Sequence, residues 1–167
     1  MTRHQFHHMH GHVMQIADQI FNGAQARTRD DHVQVGHALL ASRAYAEAAR
    51  SFTEAIAADP GCAEAHFGLA LALLQGKRPH RHGTTTINRV ENHLRAAAEL
   101  VEARVLELLV AEDHLLAWQR APREIPAHVT EMAKELPVTR AYLILTHVPA
   151  PEARTWRAIW QSTGRSG

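Results

Sequence analysis

YAEAARSFTEAIAADP, residues 45–60, is the stretch that decides the fold. Ala48, Phe52 and Ala55 recur at steps of four and three, the period of one face of an α-helix. Asp59-Pro60-Gly61 then ends it, because proline lacks the amide that would extend the helix and all three residues favour turns. Upstream, HVQVGHALLA (32–41) has the same period, and Ser42-Arg43-Ala44 leaves room for only a tight turn between the two. Downstream, CAEAHFGLALALL (62–74) reads as a third helix. Two helices joined by so short a turn pack antiparallel.

In this order the segments resemble the tetratricopeptide repeat, a helix-turn-helix unit of 34 residues. With Pro60 as the closing proline, Gly36 is the small residue where the helices approach, and Leu39 the large residue later in the first helix. Tyr45 stands at the turn, and Ala48, Phe52 and Ala55 form the packing stripe. A second, divergent repeat follows, with Ala65, Leu69, Ala70 and Leu73 in its first helix and Val90, Leu94 and Ala97 in its second. Between them the basic loop GKRPHRHGTTT (76–86) is longer than the pattern. The resemblance spans residues 32–100. It implies an all-α fold of antiparallel helix pairs stacked as a short right-handed solenoid, with flanking N- and C-terminal helices.

The resemblance also implies where a partner would bind. The first helix of each pair lines a concave groove. Its positions here are Val33, His37, Leu40 and Ala41, then Glu64, Phe67, Leu71, Leu74 and Gln75. Members that clamp a peptide carboxylate use lysine, asparagine and arginine in this groove. The corresponding places hold Val33, His37 and Gly68, so a carboxylate clamp is not expected. A mostly apolar groove suits an amphipathic helix instead, anchored on Phe67, Leu71 and Leu74, with His37, Glu64 and Gln75 at the rim. The occupant is either a partner's helix or a helix of the chain itself.

Two further helices offer suitable faces. Phe6, Met9, Val13, Ile16 and Ile20 form an apolar seam along a helix expected at residues 5–22, and Trp156, Ile159 and Trp160 cluster on another near the C-terminus. Residues 1–27 are therefore read as an N-terminal helical segment, 28–121 as the repeats and 122–167 as a helical extension. VTRAYLILTHV (138–148) is rich in β-branched and aromatic residues, which favour strands. A lone strand would lack a partner, so a helix is expected.

No catalytic signature is present: there is no phosphate loop, no His-Glu-x-x-His, no nucleophile elbow and no Cys-x-x-Cys. Cys62 is the single cysteine, so no internal disulfide forms, which fits a reducing cytoplasm. The polar start does not read as a secretion signal, and no run is long enough for a membrane helix. A formal net charge of +1 gives no electrostatic reason to bind nucleic acid. Basic charge is almost all arginine, with lysine only at Lys77 and Lys134, a bias that suits GC-rich bacterial coding. His4, His8 and His12 share one row of the expected first helix and are candidate ligands for zinc, nickel or copper. The expected function is a non-enzymatic adaptor or scaffold needing no cofactor, with another protein or a second copy as partner. The alternatives are a metal-binding protein using the histidine row and, because fourteen histidines titrate near neutrality, a pH-sensitive homo-oligomer.

Overall fold

The computed structural model describes residues 28–117 and 127–164, and every element among them is helical. The order is α1 (Arg29–Ala41), α2 (Tyr45–Ala58), α3 (Ala63–Leu74), a 3-10 turn (Pro79–Arg81), α4 (Thr84–Ala96), α5 (Val101–Ala117), α6 (Ala127–Glu135), α7 (Val138–His147) and α8 (Arg154–Ser162). The seam from Phe6 to Ile20 and the row His4, His8 and His12 lie outside the described residues.

Local chemistry sets the first boundaries. Thr28 and Asp31 form a reciprocal capping box: Asp31 N–H donates to Thr28 Oγ1 at 3.2 Å, and Thr28 N–H to Asp31 Oδ2 at 2.8 Å. Arg43 takes a left-handed φ of 60° in the tight turn before α2. Asp59 Oδ1 accepts from Gly61 N–H at 3.0 Å, closing the turn before α3. Gln75 (φ 52°) and Gly76 (φ 67°) end α3, and a Cβ on Gly76 would stand 2.6 Å from the Tyr45 hydroxyl oxygen. Glycine there serves both the backbone and the close approach.

The core of the first three helices is organised on Phe52. Its ring is fully buried and passes between Gly36 on α1 and Gly68 on α3, both against it with no space for a Cβ. Ala48 and Ala55, one turn either way on α2, are also fully buried, so the small-large-small stripe acts as a ridge in a groove made by its neighbours. Val90, Leu94 and Ala97 carry the second repeat's core. A break at residues 97–100 separates α4 from α5, so the apolar segment from Val101 is a helix of its own. In α5, Val105, Leu106, Leu109 and Val110 are buried, which extends the same core.

The run 138–148 is helical, as expected: α7 buries Ala141 and Ile144, three apart on one face. The start of α8 is fixed from a distance. Glu112 on α5 accepts from Arg154 N–H (2.5 Å) and Thr155 N–H (2.9 Å), placing a carboxylate on two otherwise orphaned helix amides. Glu112→Gln keeps the shape but loses the charge and one of the two accepting oxygens. It is expected to lower unfolding stability in urea by about 1–2 kcal/mol.

Candidate functional site

The inner face of the repeat comes from α1 and α3, and the structure places its residues in two groups. Leu40, Phe67, Leu71 and Leu74 are fully buried. The expectation that they line an open groove is corrected: they belong to the closed core. The chain itself supplies the cover, because α7 packs against α3. Of the two helices read as fillers from the sequence, the one at residues 5–22 lies outside the described residues, and α8, with the tryptophans, packs on α5, α6 and α7. Trp156 and Trp160 stack on one another, half-buried, with ring planes 7° apart.

The second group stays at the surface. Val33, His37 and Glu64 are half-buried and Gln75 is exposed. Glu64 is the centre of a polar cluster. Arg140 on α7 makes a fork onto it, Nη1 to Oε1 at 2.7 Å and Nη2 to Oε2 at 3.0 Å, while its Nε lies 3.1 Å from Glu102 Oε1 on α5. His37 Nε2 stands 2.8 Å from Glu64 Oε1, a charge contact once the imidazole is protonated. The His37 ring is edge-on to Phe52, 5.3 Å between centroids. Burial alone would push the Glu64 carboxyl up, but His37 and Arg140 together hold it down to about 2. One guanidinium thus ties α3, α5 and α7 together.

Beside this cluster the inner face remains open. A pocket of about 350 Å³ lies between the starts of α1 and α3, with Val33 and Leu100 as apolar wall and Asp30, Asp59, Glu64 and Glu99 as acidic rim. Its one guanidinium, Arg29, is engaged by Asp30 at 2.7 Å and Asp59 at 2.8 Å. Cys62, half-buried, also lines it. His66, four residues after Cys62, is turned elsewhere: its Nδ1 is 2.9 Å from His93 Nδ1 and its Nε2 donates to Pro60 O at 3.0 Å. Donation to a carbonyl requires the proton on Nε2, so neutral His66 accepts from His93 through Nδ1.

The basic loop is answered from within the chain. Asp113 on α5 is fully buried and accepts from Arg78 Nη2 (2.7 Å) and from His80 N–H (3.1 Å), with His80 Nδ1 at 2.9 Å. Arg78 also meets Glu152 at 2.7 Å. Nothing in the sequence pattern marks Asp113 or Glu112 as partners of groups so far along the chain. Among the described residues, no group of three or more histidine, cysteine, aspartate or glutamate side chains is arranged to hold a metal ion. Nor is any described helix long and apolar enough to cross a membrane.

Comparison with known families agrees with this geometry. Residues 35–80, from the middle of α1 through α2 and α3 to the basic loop, match the tetratricopeptide repeat model. No curated protein and no solved structure matches the chain. The match covers α2 with its Phe52 ridge and α3, so residues 35–80 are a tetratricopeptide repeat, and the described residues form an all-helical, tetratricopeptide-like fold.

Proposed function

We propose that the protein is a non-enzymatic adaptor that binds another protein at the open mouth of its repeat. The observation that carries this reading is the pocket beside Glu64. It is the part of the inner face that α7 leaves uncovered, and it combines apolar walls at Val33 and Leu100 with four carboxylates around one engaged arginine. Such a site favours a segment that brings an apolar side chain flanked by arginine or lysine, since like charge on a partner would be repelled. Apolar burial supplies the affinity and the acidic rim the selection. The rim also predicts that binding weakens with added salt.

Two exposed apolar side chains stand close in sequence to residues of the site. Val101 (37% exposed) follows Leu100, and Val138 (49% exposed) opens the helix that carries Arg140. They are the large apolar residues most exposed among those described.

The test is capture from cells followed by mapping. A chain that co-purifies with the wild-type protein should be lost at least about tenfold from a Val33→Asp, Leu100→Asp double variant, the scale of one lost anchor. It should be retained by Trp160→Ala, on the far helix. Capture that survives the double variant and fails with Trp160→Ala would move the binding surface to α8.

A further inference from the structure

α7 is held on the repeat by chemically different contacts at its two ends. Near its start, Arg140 is clamped by Glu64 and Glu102. At its last residue, His147 is 1% exposed, with Nδ1 3.1 Å from the Tyr45 hydroxyl on α2 and the two rings edge-on at 5.7 Å. That hydroxyl lies close against Gly76, where a Cβ would stand 2.6 Å from it.

The charges around His147 do not favour an imidazolium. Arg43, in the turn before α2, bears on it with like charge. Among the carboxylates on the elements packed against α7, Glu107 on α5 is not among the charges that act on His147, and the others are engaged elsewhere. Glu64 on α3 and Glu102 on α5 hold Arg140, and Glu112 on α5 caps α8. Asp113 on α5 and Glu152 before α8 hold Arg78 and the basic loop. The carbonyl end of α7 does favour a cation, an effect of at most about 1–2 kcal/mol at a helix terminus.

We infer that α7 is a pH-sensitive cover over the inner face: a positive charge on His147, enclosed at the C-terminal end of α7 with no carboxylate beside it, loosens that end, while Arg140 keeps its other end attached. The regulation this offers rests on the adaptor reading above, because lifting that end would bare the apolar face of α7 and widen the binding mouth. The movement itself does not depend on that reading.

The titration behaviour agrees in direction. Burial first, and Arg43 second, hold the His147 imidazolium below the ordinary histidine value. The docked end therefore binds fewer protons than the released end. Docking is at full strength above about pH 6.5 and weakens as pH falls below it. Glu64 stays ionised throughout this range, so the Arg140 end does not respond. Acid would strengthen His37 against Glu64 and His80 against Asp113. It would weaken the His66–His93 contact and the bond from His82 to Leu74 O, since burial holds both His93 and His82 below the ordinary value. The first acts between α3 and α4; the second lies at the end of α3, two residues before Gly76, and persists in His147→Gln, which tells it apart from His147.

Hydrogen exchange measured by peptide at pH 7.5 and pH 5.5, corrected for the intrinsic pH dependence of exchange, tests this. Residues 138–148 should lose protection by up to about tenfold at pH 5.5, the limit set by measuring about one pH unit below the ordinary histidine value. Residues 29–58 should change by less than about twofold. His147→Gln, which cannot take up the proton, should keep 138–148 protected at both pH values. Should that variant fold poorly, the wild-type His147 imidazole is followed by NMR and should titrate below a free histidine. Unchanged protection of 138–148, an equal loss in His147→Gln, or titration at or above the free value would each overturn the inference. None of these readouts involves a partner, so failure of the adaptor reading would leave them intact.

Discussion

Phe52→Ala should destabilise the fold by about 3–5 kcal/mol, the range for removing a fully buried aromatic ring. The expectation rests on where the ring lies. It is inaccessible to solvent, and the Gly36 and Gly68 backbones both stand against its Cε1–Cζ end, too near for any side chain. Collapse into the vacated space would have to move α1 and α3 toward each other, which the surrounding core at Leu40, Ala48 and Phe67 resists. The cavity is therefore poorly refilled, and the cost should sit toward the upper end of the range. His37 loses its edge-on neighbour too, which loosens the side chain facing Glu64. Chemical denaturation followed by circular dichroism should show the loss, with a fall in melting temperature of roughly 10 °C for a chain of this size. Gly68→Ala approaches the same contact from the other side. It inserts a methyl group into the ring and should cost about 1–3 kcal/mol. A loss below about 1 kcal/mol in Phe52→Ala would mean that the ridge does not hold the repeat together.

This ridge is also the part of the fold most legible in the sequence. Ala48, Phe52 and Ala55 repeat at a spacing only a helix presents on one side, and Gly36 falls where that helix must be approached closely. Turn chemistry at Asp59-Pro60-Gly61 fixes where the pair ends. Gly68 was harder to read, because the repeat pattern turns that position toward the groove, whereas the structure sets it against Phe52. The same difficulty explains the groove residues. Periodicity identifies Phe67, Leu71 and Leu74 as an apolar face but contains nothing about what lies on it. Their cover depends on α7, whose own sequence balances strand against helix propensity. The contact that brings it there, Arg140 to Glu64, spans 76 residues of chain. Pairings at such separation leave no local period, and Asp113 with Arg78 is silent for the same reason. Of the candidate site, then, Val33 and Glu64 could be found from the repeat pattern, while Leu100 and Arg140 could be found only from the fold.

Arg140→Ala is expected to have the second large effect, about 2–3 kcal/mol at pH 7. Removing one partner from a buried ion pair costs about 3–5 kcal/mol. The lower figure applies because the Arg140 side chain is 32% exposed and water screens part of the interaction. The loss comes from what remains behind: Glu64 keeps only His37, and Glu102, almost enclosed, loses the guanidinium beside it. The pH dependence tells this cost apart from a simple loss of packing. Glu64 in the folded protein titrates at about 2, below an unfolded carboxylate. The difference stabilises the fold above pH about 4.5 and is lost as pH falls toward 2. Without Arg140 the carboxyl should titrate higher, so the gap between variant and wild type in urea should narrow as pH is lowered below 4. A gap that stays constant with pH would mean that only packing was lost. Arg140→Lys should recover less than half of the stability, because an ammonium cannot make the fork to both Glu64 oxygens while also reaching Glu102. In hydrogen exchange, Arg140→Ala should expose residues 138–148 already at pH 7.5, where His147→Gln leaves them protected. The two ends of α7 would thus be separable: one set by a fixed charge that neutral and mildly acidic pH cannot touch, the other by a buried imidazole that they can.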